Sequence, residues 1–168
     1  MANAYKLTEI AVDLILAHIK SNIASALVDV AADRNDSVVN LTLPQTYLIY
    51  ESTKSYRLPC VFVIAEDLDF ELLEGANHIN GMHDIKVACV VEERNERLLS
   101  KLAWRYQCAL AKLLHFTVLD SSDNKVRIIP KVVRFSYSPV YSHDDQGSQG
   151  VFCKEILIEL EVEHYEKL

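Results

Sequence analysis

Glycine is scarce in this sequence, with four residues, at positions 75, 81, 147 and 150, in a chain of 168. None of them falls in a GxGxxG or P-loop spacing, so the backbone cradles that hold phosphate groups are excluded. Cysteine is equally sparse. Cys60, Cys89, Cys108 and Cys153 are far apart and form no CxxC pair. Each lies within an apolar run, the setting of a small buried residue in a reducing compartment rather than of a disulfide framework or a zinc site. Basic charge is in deficit, with 17 Lys and Arg against 24 Asp and Glu. The resulting net charge of −7 argues against broad, nonspecific attraction to nucleic acid or to an anionic membrane surface. No unbroken apolar run of about 18 residues occurs, so no bilayer span is expected. The opening MANAYKLTEIAVDLILAHIK lacks the basic segment, continuous apolar stretch and small-residue cleavage site of a secretory signal, and assembly in the cytoplasm is the expectation. GxSxG is missing, and no cysteine stands in a polar, electropositive context, so nucleophilic catalysis has no candidate. The expectation is a protein that is not an enzyme and holds no cofactor.

What is present is an ordinary globular balance, 50% apolar and 24% charged, over a length that suits one domain spanning residues 1–168. From Thr8 to about Asp33, Ile10, Leu14, Ala17, Ile23, Leu27 and Val30 recur at helical steps, with Thr8 as N-cap and Glu9 in the first turn. TYLIY reads as a short strand, and ESTKSYRLP as a polar loop expected to be mobile. CVFVIA is apolar on both faces, as in a strand buried inside a sheet. Leu68, Phe70 and Leu72 then alternate with Asp67, Asp69 and Glu71, and Ile85, Val87, Cys89 and Val91 resume the alternation after EGANHINGMHD, which predicts a long β-hairpin. Asn95 to Leu114 is the clearest helix, with Leu98, Leu102, Tyr106, Ala109, Leu110 and Leu113 on one face. Two long strands close the chain, VRIIPKVVRFSYSPVYS and VFCKEILIELEVEHYE, joined by HDDQGSQG. The pattern predicts an α+β fold in which two amphipathic helices pack on one face of a mainly antiparallel sheet with long β-hairpins.

Two histidine clusters invite a metal, His78 and His83 in HINGMHD and His143 beside Asp144 and Asp145. Both lie in turn-rich sequence, and the five-residue step from His78 to His83 is not the four-residue step of a helical metal motif. They read as solvated loop residues, and no metal is expected. Two charged stripes remain. Arg97, Lys101 and Arg105 succeed one another at four-residue steps along the second helix, with Lys112 further on. Glu155, Glu159, Glu161 and Glu163 share the polar face of the last strand, where like charges cost stability unless a neighbour relieves them. A wet helix face and a solvated strand face are the ordinary explanations; an interface between subunits is the functional one.

The order helix, strands, long hairpin, helix, two long terminal strands resembles that of the tail-terminator (tail-completion) proteins of long-tailed bacteriophages. The resemblance is carried by LPCVFVIAEDLDFE, by HDIKVACVVEERNERLLSKLAWRYQCALAKLL with Arg105-Tyr106 in its helix, and by VRFSYSPVYS with GVFCKEILIELEVE, and it spans about residues 7 to 165. It implies a virion protein of the tail or neck, a homo-oligomeric ring commonly of six copies. That ring caps the tail tube protein, joins it to the head-tail connector protein and lets DNA pass through its centre. Under this resemblance Arg97, Lys101 and Arg105 become candidate interface residues. Glu155, Glu159, Glu161 and Glu163 become candidates for the interface or for lining the bore. Another neck or tail-tube subunit is the nearest alternative, and a small cytoplasmic metal-dependent or ligand-binding enzyme a more distant one.

Overall fold

The last strand of the chain, β7 (Phe152–Lys167), lies in the middle of the sheet, between β3 (His78–Glu93) and β5 (Val126–Tyr137), and is antiparallel to both. Its branched and long apolar residues at every second position suit a strand buried on one face, and Ile156, Ile158, Leu160 and Val162 are all buried there. The computed structural model describes residues 7–34, 41–49, 57–71, 78–142 and 151–167. Around β7 the sheet reads β1-β2-β3-β7-β5-β4, with β1 (Thr46–Leu48), β2 (Cys60–Glu71) and β4 (Leu119–Asp120) completing that path and β6 (Tyr141–Ser142) pairing with β7. Only the β1-β2 pairing is parallel among the pairings described. The α+β class and its mainly antiparallel sheet are therefore as the pattern predicts, and TYLIY does contribute a strand.

Two helices cover one face of this sheet. Helix α2 (Glu96–Leu114) starts at Asn95, whose side chain accepts from the Arg97 N–H at 3.0 Å, with Glu96 in the first turn and Lys112 in the last, both complementing the helix dipole. It buries Leu99, Leu102, Ala103, Tyr106, Ala109, Leu110 and Leu114, while the expected Leu98 and Leu113 flank that stripe half-buried. The Tyr106 hydroxyl, inside the core, donates to the Thr42 carbonyl and so ties the segment before β1 to the helix.

Helix α1 (Leu7–Arg34) buries Ile23, Leu27 and Val30 as the spacing predicts, but its first half turns a different face inward. Leu7, Ala11, Ile15, Ile19 and Ile23 are buried in its first half, whereas Ile10 and Leu14 are half-buried and Ala17 is exposed. The sequence LTEIAVDLILAHIK is apolar nearly all round, so periodicity alone does not select a face, and packing against the sheet decides it. Thr8 lies within the helix rather than capping it. By length and composition α1 could cross a bilayer, yet Ile15, Ile19, Ile23 and Leu27 are wholly enclosed against sheet and α2, the disposition of a core helix.

The predicted pairing of β2 with β3 exists, but HINGMHD is strand rather than turn, and residues 72–77 of the expected turn lie outside the described residues. CVFVIA and EDLDFE form one continuous strand, β2, and HINGMHD is the opening of β3, paired with β2 on one side and β7 on the other. Asn80 and Gly81 suggest a turn locally, but two flanking strands supply ladder partners on both sides, and tertiary pairing overrides that preference.

Candidate assembly surfaces

His83 shows what that shift does to chemistry. It sits on the core face of β3 with no exposed surface, beside His164 of β7, which is 1% exposed. His83 Nε2 and His164 Nδ1 are 3.2 Å apart, so one nitrogen donates and the other accepts, and the pair is neutral. Burial lowers both imidazoles to about 4, and the positive form of His164 further disfavours that of His83. The reading of His83 as a solvated turn residue is thus overturned. His143, Asp144 and Asp145 lie outside the described residues. Among the described residues no three His, Cys, Asp or Glu side chains stand close enough to share a metal ion. Cys60, Cys89 and Cys153 are buried as expected, whereas Cys108 on α2 is half-buried; Cys60 is pushed up to about 12 and Cys89 also upward, desolvation being the main cause in each.

The outer face of the sheet, away from the helices, carries the acid. Glu159, Glu161 and Glu163 project from β7 there, and Glu155 stands apart beyond Leu157, half-buried. Cross-strand neighbours sort these charges into rows. Glu159 lies between Lys86 of β3 and Arg134 of β5, a row in which bases outnumber the acid. The next row holds Asp67, Asp84 and Glu161 side by side on β2, β3 and β7, with Lys131 of β5 at its end, 2.9 Å from Glu161. Three carboxylates directly opposite one another and one ammonium leave an acidic surplus. Glu163 accepts from the Tyr165 hydroxyl at 2.7 Å. Neighbours within the subunit therefore relieve part of the acidic stripe and leave part of it.

Two β-bulges flank this acidic region, between Ala65 and Asp67 in β2 and between Val132 and Arg134 in β5. An extra residue bends a strand and re-aims its side chain. Both extra residues, Glu66 and Val133, line one groove of about 290 Å³ together with Asp84, Lys86, Glu159 and Glu161. Glu66 pairs with Lys86 across it. The bulges could be read from the sequence, because strand alternation slips by one: Ala65 to Leu68 and Val132 to Phe135 are steps of three between residues on the same face.

On the opposite side of the molecule, α2 presents its polar face. Arg97 and Lys101 are exposed, Arg105 is half-buried, and Lys112 pairs with Asp29 of α1 at 2.6 Å. Between them stands Trp104, the sole tryptophan of the chain, 54% exposed. The stripe of bases is where the spacing puts it. The indole among them is the residue that a search for charge passes over, although its step of three from Lys101 places it on the same face. The two surfaces lie on opposite layers of the subunit, so Arg97, Lys101 and Arg105 do not meet Glu159, Glu161 and Glu163 within one chain.

No family model matches the sequence, and no curated protein matches it either. Among solved structures, a chain of the "Virion of native gene transfer agent (GTA) particle" is similar at 14% identity and a TM-score of 0.41, over 83% of this chain and 92% of that one.

Proposed function

We propose that the chain is a structural virion subunit, a tail terminator that closes into a ring on the finished tail tube, offers the joining surface for the head-tail connector and leaves a bore for DNA. The observation that carries this reading is the placement of a basic, aromatic helix face and an acidic groove on opposite layers of one subunit. Head-to-tail closure needs two surfaces that are complementary and different. The element order supports it as well, since the resemblance drawn from the sequence rests on that order. The residues with the richest chemistry support a role without catalysis, because the two core histidines are neutral, enclosed and spent on each other. Glutamates left over at the interface and turned toward the bore would repel phosphates and keep a passing duplex from sticking. Six copies is the number the resemblance brings.

The test is the position of the chain in the particle. Electron microscopy of virions carrying an epitope-tagged copy should place antibody at the head-proximal end of the tail, and particles lacking the chain should accumulate as unjoined heads and tails. Label distributed along the tail would instead identify a tail-tube subunit.

A further inference from the structure

We infer that Trp104 is the anchor of the contact between two copies of this chain, its indole seated in the double-bulge groove on the outer sheet face of the next copy. The inference rests on the head-to-tail reading above and adds the residue that carries the contact and the receptor that takes it. A tryptophan left 54% exposed on a helix exposes a large apolar area to water. Tryptophan rimmed by charge is also the composition that dominates binding energy once a partner excludes water from it. The groove offers what such a side chain needs. Val133 is 52% exposed and supplies an apolar wall, and Glu66, Asp84, Glu159 and Glu161 outnumber the one base among them, Lys86, which pairs with Glu66.

Charge selects this occupant over the others. The row of Asp67, Asp84 and Glu161 leaves a surplus of negative charge beside the groove, and Arg97 and Lys101 share the exposed face of α2 with Trp104, both in the turns that precede it. A second copy that brings its indole into the groove thereby brings bases onto the acids. A twofold contact of α2 with α2 would set Arg97 and Lys101 against their own kind, which electrostatic complementarity disfavours. A nucleic acid in the groove would meet carboxylates with its phosphates.

Because Trp104 is the sole tryptophan, its fluorescence reports this contact alone. The full chain is followed by sedimentation and by tryptophan emission over a concentration series. The expected result is a rise in mass accompanied by a blue shift of emission and by reduced quenching with acrylamide. Trp104→Ala and Val133→Lys should each raise the dissociation constant at least about tenfold, with thermal unfolding unchanged. Mixed together, the two variants should form a one-to-one pair with blue-shifted emission, since each keeps the surface that the other lacks. Assembly with unshifted emission, or normal assembly of Trp104→Ala, overturns the inference while leaving the ring reading intact. Normal, blue-shifted assembly of Val133→Lys overturns the groove as receptor. A wild-type chain that stays monomeric at every concentration overturns the contact itself, and the labelled particles then decide the proposed position independently.

Discussion

His83 of β3 and His164 of β7 face each other at 3.2 Å on the core side of the sheet, each with one ring nitrogen turned to the other and one without a hydrogen-bond partner. Two imidazoles in this arrangement cannot both accept protons without placing like charges side by side in an enclosed site.

Acid should therefore unfold the protein through this pair. The folded values near 4 lie below the ordinary 6.5 of an unfolded chain. Between pH 6.5 and 4 the unfolded state binds protons that the folded state refuses, and stability falls as pH falls through that window. Glu166, two residues after His164 on the same face, acts in the opposite sense. Its carboxyl is raised by burial and then by Asp123, so the folded state holds that proton longer than the unfolded chain does. Urea midpoints at pH 7.5, 6, 5 and 4.5 should drop steadily, and His83→Leu with His164→Leu should flatten the drop. An equal drop in the double variant would remove the pair as its cause.

His83→Ala should destabilise the fold by about 2–4 kcal/mol, from the cavity it opens and the bond it takes from His164. The equivalent change at exposed His115 removes the acceptor of the Val132 N–H, 3.2 Å away at the surface, and should cost less. Chemical denaturation at pH 7.5 compares them. Equal and small effects would mean that the β3-β7 end of the core is looser than its burial implies.

Leu102, 3% exposed against the sheet, should not tolerate Asp. An unpaired carboxylate enclosed there costs several kcal/mol, enough to unfold a domain of this size. Arg97→Glu, five residues earlier on the exposed face, should leave the melting temperature nearly unchanged. Circular dichroism melts separate the two, and a folded Leu102→Asp would show that α2 presents a different face to the core.

Long periodic segments were legible in the sequence because their patterns are strong: the apolar side of α2, the alternation of β7, the pairing of β2 with β3. What stayed illegible did so for physical reasons. Helix α1 is too uniformly apolar to mark its inner face, so Ile10 and Leu14 look as suitable as Ala11 and Ile15. HINGMHD carries local turn residues, and its strand state comes from ladder partners on both sides, β2 nearby and β7 about eighty residues away, which no local preference encodes. His164 gives no signal next to three acidic residues, and the pair it forms with His83 exists only through the β3-β7 register. Of the proposed contact, the bases of α2 and the acids of β7 could be read as stripes, whereas the groove depends on two bulges meeting at the same level of the sheet.

The acidic row makes the last prediction. Asp84 stands between Asp67 and Glu161 across two strand pairings, with Lys131 next to Glu161 only. Like charges directly opposite on neighbouring strands destabilise a sheet by roughly 0.2–1 kcal/mol per pair, and Asp84 takes part in two such pairs. Asp84→Asn keeps the shape and removes the charge, so the isolated subunit should become more stable by about that amount. The gain should shrink as salt is raised, because exposed charges are screened. On assembly the effect should reverse: if the bases beside Trp104 meet this row, losing the carboxylate slows association, most visibly at low salt, where electrostatic steering is strongest. Unfolding curves of the dilute chain and association rates at two ionic strengths measure both halves. A variant that is less stable as a monomer would mean that the Asp84 carboxylate makes a favourable contact that outweighs the repulsion of its two neighbours.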